Sequence, residues 1–439
     1  MSGVLAIYSA GDLTDELFWR LFRLQSRGQE YCGLSVFGEN KIKIRTHRGL
    51  VRPTFQHDLL DLEGNFGIGH TSSRDRQPIR IETKMGEFTM GFDGHIINGK
   101  ILRNELFKQG HSFSTLADVE LVAKLIAQGK DIEDGLERML KQIKGPCSLV
   151  LLNEDGIYAA RDRLGFRPLV LGQNEVGYAI ASETCAFNLK METGQTQISP
   201  MRRLRDIEPG EIIFLGENGV TVTTIKKLGD GRKKHCCFEW VYYARPDSII
   251  EGISVTRVRQ NLGRFLAQED NVKADLVAPV PFSGICHAEG YHLESGLTFL
   301  GVILSPQYME RTYIIPVPVE RQQEAEIKPN LIEENIRGKI IVIVDDSIRS
   351  GTTLRGLVKN LIEMGAKEVH VRIASPPSIK HCPFEPPPQE KEKFIAATKS
   401  VPEIKDFIGA NSLEFQRLEN VPLAIGLPEK DLCLDCFLR

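Results

Sequence analysis

No stretch of this chain approaches the ~20 consecutive apolar residues that a membrane-spanning helix needs, so no such helix is expected. The opening segment, Met1 to Ala10, has no basic start and no long apolar core, so it does not read as a secretory leader. A basic excess is missing too. Lys and Arg total 55 against 58 Asp and Glu, a formal net charge of −3. That balance offers no cationic face to nucleic acid or to a membrane surface. A cytosolic location is the expectation. Nine cysteines are present, an odd number, widely spread. In a cytosolic chain this is no disulfide framework, and it leaves free buried thiols or metal ligands. Internal repeats and low-complexity tracts are also absent. What remains is 439 residues, 41% apolar and 26% charged, ample for two or three domains with packed cores.

The first half alternates short strands, broken by Gly-rich turns, with helical patterns. Strand-like stretches lie around Gly67 to His70, Phe88 to Phe92 and Cys147 to Asn153. From Asp12 to Leu24 the residues Leu17, Phe18, Leu21, Phe22 and Leu24 fall largely on one helical face. From Asp118 to Gln128, Val119, Leu121, Val122, Leu125 and Ile126 do the same. This order predicts a layered domain with antiparallel sheet. A charged, Gly-containing stretch from Lys226 to Lys234 reads as a linker. Beyond it the texture changes. Leu276 to Ala278 and Ile340 to Val344 are apolar runs without alternation, as in strands buried on both faces of a parallel sheet. A helix is predicted from Thr353 to Met364, stopped by Gly365, and Val369 to Ala374 is the next strand. Such a βαβ unit carries its ligand site at the carboxyl end of the strand.

The sharpest motif sits there: Val342-Ile343-Val344-Asp345-Asp346-Ser347-Ile348-Arg349-Ser350-Gly351-Thr352-Thr353. A buried strand ends in two carboxylates, and a hydroxyl-rich loop with a glycine opens a helix. Free backbone N–H groups and the positive helix end attract a phosphate. Ser347, Thr352 and Thr353 add hydroxyl donors, and Gly351 permits close backbone approach. The two acids would repel a phosphate, so they suit sugar hydroxyls. No Gly-Lys-Ser/Thr follows, so this is not a Walker loop. An ordinary strand-to-helix turn with an acidic cap is the bland alternative. The pattern looks like the type I phosphoribosyltransferase signature that binds phosphoribosyl pyrophosphate (PRPP).

Once that signature is read, the rest of the chain resembles the amidophosphoribosyltransferase family, nearly end to end and in order. Lys339 to Pro377 and Phe238 to Ser248 look like its phosphoribosyltransferase core. Arg27-Gly28-Gln29-Glu30, Tyr158 to Asp162, Gly165 to Leu169 and Ser182 to Phe187 look like its glutamine amidotransferase domain, and the tail from Ile425 to Cys436 also fits. The resemblance implies two domains. Residues 1–230 would form an N-terminal-nucleophile αββα domain, and residues 231–439 a type I phosphoribosyltransferase domain with a parallel sheet and a cluster-binding tail. In such enzymes an N-terminal cysteine attacks glutamine's amide. The ammonia released then displaces pyrophosphate from PRPP, with Mg²⁺ at the leaving group, to give 5-phosphoribosylamine for purine synthesis. By this resemblance the PRPP-binding residues are Asp345, Asp346, Ser347, Gly351, Thr352 and Thr353, with Asp345 and Asp346 near Mg²⁺. Family members are commonly homo-oligomers, and purine nucleotides often regulate them.

The chain departs from the family at several positions. Ser2 stands where the family has its nucleophilic cysteine, and hydroxyls are the weaker nucleophiles at neutral pH. Ser72 replaces an arginine that would hold glutamine's carboxylate. Asp93 replaces an asparagine that donates into the oxyanion hole, and an ionised Asp93 would oppose the developing charge. Gly94, through its backbone, and Asp118, matching the residue that holds glutamine's amine, remain in place. Glutaminase activity is therefore not expected. On the second domain, Ser305-Pro306-Gln307-Tyr308 replaces a cationic lid and Phe282 replaces an aspartate, while Arg311, Thr312, Lys328 and Asn330 match. Two readings follow: a transferase using ammonia or another amine, or a non-catalytic paralogue that binds PRPP or a nucleotide as regulator or scaffold. A third is a cluster protein of unrelated chemistry.

Cys433-Leu434-Asp435-Cys436 alone could be a redox pair, a zinc half-site or two idle thiols. The resemblance places Cys236 and Cys382 where one branch of the family supplies two further ligands of a [4Fe–4S] cluster, and four thiolates complete such a site. Zinc would accept the same four sulfurs. Cys32, Cys147, Cys185 and Cys286 read as core cysteines. His70 reads as structural. His95 and His287 lie near candidate sites and read as ordinary histidines.

Overall fold

The computed structural model describes residues 1–55, 58–59, 62–193, 196–216, 222–304, 330–385 and 394–438. The chain divides into two compact units. The first is Met1–Cys236 with Asp247–Gly252, and the second is Cys237–Pro246 with Ile253–Arg439.

The first unit is built on two antiparallel sheets. The strands run β1 (Ser2–Ser9), β2 (Tyr31–Gly38), β3 (Lys41–Arg48), β4 (Phe66–Ser72), β5 (Ile79–Thr83), β6 (Gly86–Gly94), β7 (Cys147–Asn153), β8 (Gly156–Arg161), β9 (Val170–Gln173) and β10 (Gly177–Ala181). They continue with β11 (Met191–Thr193), β12 (Thr196–Ile198), β13 (Arg202–Asp206), β14 (Glu211–Gly216) and β15 (Val222–Lys227). One sheet has the order β13-β9-β10-β1-β4-β2-β3 and the other β15-β14-β8-β7-β6-β5. Val4, Ala6 and Ile68 of the first sheet share one fully buried cluster with Val150, Ile157 and Ile213 of the second. The sheets therefore face each other across a common core.

Helices cover both outer faces. Alternation sends Leu5 and Ile7 of β1 to the opposite side from Val4 and Ala6, where they meet Leu17 and Leu21 of helix α1 (Thr14–Arg23). Asp15 and Glu16 at its start and Arg20 and Arg23 at its end complement the helix dipole. On the other side Phe88, Met90 and Phe92 pack with Leu121, Leu125 and Leu136. Those last three belong to two of the next helices along the chain: α2 (Val51–Thr54), α3 (Gly99–Lys108), α4 (Asp118–Ile126) and α5 (Ile132–Gln142). The result is the expected αββα layering. Strand β15 takes in Lys226 and Lys227, so the predicted linker begins later than its charge suggested; pairing with β14 claims those two residues.

The second unit carries a parallel sheet. Its strands are β16 (Leu276–Pro279), β17 (Thr298–Phe299), β18 (Ile340–Asp345), β19 (Glu368–Ile373) and β20 (Ser412–Phe415), in the order β17-β16-β18-β19-β20. Helices α6 (Val255–Gln268) and α7 (Ile285–Ser295) precede β18, and α8 (Thr352–Glu363) follows it. The central strands are buried along both faces, Ile341 to Val344 completely, which is why their sequence lacks alternation. The apolar stripe of α8, Leu354, Leu357, Val358 and Leu361, joins that core. Gly365, at a φ of +98°, ends the turn after the helix.

Candidate functional site

Two chemically distinct places follow from this architecture, one in each unit. In the first unit, β1 lies in register with β4 so that Ser2 is opposite Ser72. The neighbouring sheet brings Asp93, near the end of β6, to the same place. The Ser2 backbone N–H donates to Asp93 Oδ1 at 2.9 Å. Arg27, fully buried, donates through Nε to the Ser2 carbonyl at 2.9 Å and through Nη1 to Glu183 at 2.8 Å, and its Nη2 lies 3.4 Å from Asp93 Oδ2. Ser248 donates to the other oxygen of Glu183 at 2.7 Å. Burial by itself would raise the Asp93 carboxyl. The charges of Arg167, Arg27 and the chain's amino group outweigh it and hold the carboxyl below its ordinary range. Asp93 is thus an anion standing beside the Ser2 backbone.

Ser72 brings no positive charge to the position where the resemblance leads one to expect a carboxylate clamp. Ser72 uses its hydroxyl to accept the backbone N–H groups of Arg74 and Asp75, at 3.0 and 3.1 Å, and so shapes its own turn. His70 is buried and bonded through Nε2 to the Phe92 carbonyl, and burial pushes its pKa down to about 4. It is a neutral structural histidine. Gly94 pairs with Cys147 in the β6–β7 ladder. Asp118 opens helix α4, and its Oδ2 receives His95 Nδ1 at 2.7 Å and the Ile96 N–H at 3.0 Å. Sequence reasoning missed two things here: the Arg27–Asp93–Glu183–Ser248 network and the His95–Asp118 pair. The partners are 66, 156, 65 and 23 residues apart, and only the tertiary packing of strands, turns and helices brings them together.

In the second unit, β18 delivers Asp345 and Asp346 to the carboxyl end of the parallel sheet, at its junction with α8. Ser283, in the turn after β16, donates to Asp345 Oδ1 at 2.9 Å. The Asp346 N–H donates to the same oxygen at 2.9 Å, and Ser347 donates to Asp346 Oδ2 at 2.6 Å. Burial is the first cause of a raised pKa at both acids, and for Asp345 the neighbouring charge of Asp346 adds to it. Two carboxylates side by side in a dry site resist ionisation until a cation or sugar hydroxyls satisfy them. Gly351 caps α8 from the left-handed region, at φ +76°, and frees the first turn for an anion. Phe282 is 68% exposed beside Ser283, an apolar surface where the family resemblance leads one to expect an acid. Asn330 lies in a two-residue strand paired with Ile303–Leu304. Residues 305–308, Arg311, Thr312 and Lys328 lie outside the described residues.

Of the four candidate cluster cysteines, Cys382, Cys433 and Cys436 belong to the second unit, and Cys236 is the last residue of the first segment of the other. Burial pushes the Cys433 thiol up to about 12, and the charges of Asp435, Cys382 and Cys436 add to the rise. Among the described residues no group of three or more His, Cys, Asp or Glu side chains is placed to hold a metal ion. Cys32, Cys147, Cys185 and Cys286 are all buried, as core cysteines should be.

Comparison with known proteins bears on both units. A model of the glutamine amidotransferase domain matches residues 66–188, and a model of the phosphoribosyl transferase domain matches residues 264–378. An amidophosphoribosyltransferase from Archaeoglobus fulgidus is 38% identical over all of this chain and 97% of its own length. The chain belongs to the amidophosphoribosyltransferase family. The amidophosphoribosyltransferase of Bacillus subtilis is 34% identical, across 99% of this chain and 92% of its own. Among solved structures, the glutamine PRPP amidotransferase from B. subtilis complexed with ADP and GMP aligns with a TM-score of 0.90 and 33% identity, covering 99% of this chain and 96% of that one. A second, described as the allosteric regulatory enzyme of purine biosynthesis, aligns equally well, with a TM-score of 0.90. The two-part fold expected from the motifs is therefore that of the family. No described helix is long and apolar enough to cross a membrane.

Proposed function

We propose that this chain transfers the amino group of ammonia to PRPP, giving 5-phosphoribosylamine, and that its amidotransferase unit does not hydrolyse glutamine. The observation that carries the transferase half is the Asp345-to-Thr353 loop. It has both acids, the Ser347 hydroxyl and the Gly351-capped helix start where a sugar phosphate is bound at the carboxyl end of a parallel sheet. Asp345 and Asp346 would hold the ribose hydroxyls and lie near Mg²⁺. The ion, when bound, neutralises charge on the departing pyrophosphate. The Gly351–Thr353 helix start holds the 5-phosphate. Ammonia's lone pair forms the C1–N bond as the C1–O bond to pyrophosphate breaks, and the extra proton leaves to solvent.

The glutaminase half rests on Asp93. A carboxylate held ionised beside Ser2 repels the oxyanion that amide attack would create. The Ser72 hydroxyl, already an acceptor for two backbone donors, offers no cation to glutamine's carboxylate. We also propose that Cys236, Cys382, Cys433 and Cys436 hold a [4Fe–4S] cluster. The set of four thiols supplied by the chain supports this. Iron and acid-labile sulfide assays on anaerobically purified protein, with zinc measured in parallel, test it. Homo-oligomerisation and nucleotide regulation belong to the same reading, and sedimentation with and without ADP and GMP tests both.

The deciding experiment is pyrophosphate release from PRPP and Mg²⁺ with ammonium or with glutamine. Release with ammonium alone is expected. Release with glutamine would overturn the reading of Asp93 and Ser72. PRPP binding without release from either would make the chain a non-catalytic regulator.

A further inference from the structure

The turn that opens helix α8 is covered from outside by another part of the second unit. Gly351 is buried, although Ser350, Thr352 and Thr353 around it are exposed. What buries it comes from the crossover between β19 and β20. A Cβ built on Gly351 would stand 3.3 Å from both Ile395 and Phe407. Ile395 also donates its backbone N–H to the Arg349 carbonyl at 2.8 Å. Phe407 belongs to helix α9 (Val401–Ile408), and the Arg355 guanidinium of α8 lies 5.0 Å from the centre of its ring. Ile395 and Phe407 thus reach the loop before the glycine, the glycine itself and the first turn of the helix after it.

The crossover is held in place by contacts other than those with the loop. Ile395, Ile404 and Ile408 are buried in the core that also contains Leu354 and Val358 of α8. At the start of α9 the Glu403 carboxylate accepts the Ser400 N–H at 2.7 Å, and Pro402 stands in the first turn. Gly409 closes the helix at a φ of +78°. The loop has the opposite need. Glycine has the widest backbone freedom of any residue, so a turn centred on Gly351 keeps one conformation only when its surroundings impose it. Ile348 ties the loop to the core from within, and Ile395 and Phe407 close it from without.

We propose that Ile395 and Phe407 are positioning residues for sugar-phosphate binding. They hold Gly351 in its left-handed turn and so keep the first N–H groups of α8 aimed at the phosphate. This rests on the reading of that loop as the phosphate site. Both side chains act through Gly351 rather than on the ligand. Because the turn is ordered before the ligand arrives, binding does not bear the entropy of ordering it. The effect therefore belongs to affinity and not to the bond changes at C1.

Calorimetry with ribose 5-phosphate and the pyrophosphate assay with PRPP and ammonium, both on the full chain, test it. Phe407→Ala should weaken ribose 5-phosphate binding and raise KM for PRPP by about tenfold, the ~1.4 kcal/mol of one backbone residue left to be ordered on binding. The kcat should stay within about twofold of wild type. Phe407→Tyr, which keeps the ring, should restore affinity and KM. Ile404→Val removes a methyl group from the buried face of the same helix. It should lower the melting temperature and leave ribose 5-phosphate affinity unchanged. Hydrogen exchange in the ligand-free chain gives a second readout. The Arg355 N–H, bonded to the Gly351 carbonyl at 2.9 Å, should exchange about tenfold faster in Phe407→Ala and at the wild-type rate in Ile404→Val. Unchanged affinity in Phe407→Ala, an equal loss in Ile404→Val, or unchanged exchange at Arg355 would overturn the proposal while the loop remains a phosphate site. If the wild-type chain binds no ribose 5-phosphate, the reading of the loop itself fails and the proposal falls with it.

Discussion

Asp93 is where the proposal about the first unit rests on a single side chain. An oxyanion hole there would need a donor; Asp93 is instead an acceptor that takes the Ser2 N–H and pairs with Arg27. Its folded-state pKa is depressed, so its contribution to stability is present above the unfolded carboxyl pKa of ~3.9 and is lost as pH falls through the lower folded value. Asp93→Asn should therefore destabilise by about 1–3 kcal/mol at pH 7, because Arg27 keeps Glu183 as a partner. The gap from wild type in urea unfolding should close as pH falls below ~3.9. The variant should gain no glutaminase activity, since Ser72 still provides no clamp. Asp345 has the opposite sign. Its raised pKa means that ionisation costs the metal-free fold as pH rises above the unfolded value. Asp345→Asn should raise the metal-free melting temperature at pH 7 by ~2–4 °C. It should also cut PRPP-dependent pyrophosphate release by about a hundredfold or more. A loss of both stability and activity would mean that the acid is structural.

At the scale of elements, the junction of β18 and α8 couples fold and chemistry. Gly351 holds a left-handed conformation at the helix start, and a Cβ there would also stand 3.3 Å from Ile395 and Phe407. Gly351→Ala should cost about 1–2 kcal/mol from the backbone alone and, on the proposed reading, raise KM for PRPP, because the turn proposed to hold the phosphate moves. Gly263, in α6, provides the contrast. A Cβ there would meet the His287 carbonyl of α7 at 1.9 Å, so Gly263→Ala should destabilise by about 1–3 kcal/mol. Away from the loop, it should leave KM nearly unchanged in the protein that remains folded. These elements were legible in the sequence for physical reasons. Helix α8 keeps a 3.6-residue stripe, and β18 is an aliphatic run because both of its faces are covered. The outer helices α1 and α4 announced themselves in the same way. The sheet order of the first unit was not legible. β7 is buried at every residue, so it carries no alternation to show which face meets the other sheet. The same blindness hid the Arg27–Asp93 and His95–Asp118 pairs, which exist only once the two sheets and the segments around them are packed together.

Taken whole, the molecule joins the two folds of its family, and the proposal that only the second does chemistry makes a measurable prediction. If the second unit works and the first does not, activity must depend on free ammonia and hence on pH. Only the unprotonated fraction of ammonium has a lone pair to attack C1. Pyrophosphate release should therefore rise about tenfold for each pH unit, at fixed total ammonium, until well into the alkaline range. Glutamine should give no release at any pH. An enzyme with a competent glutaminase behaves differently: ammonia is delivered from within, and the glutamine-driven rate does not follow the ammonia fraction of the buffer. The control is Ser2→Ala. It should leave the ammonium-driven rate and its pH slope intact, because no nucleophile at that position takes part. A fall in rate with Ser2→Ala, or a glutamine-driven rate that is flat with pH, would place working chemistry back in the first unit. The Asp93 carboxylate would then have to be neutral during catalysis, against the charges of Arg27 and Arg167 that surround it.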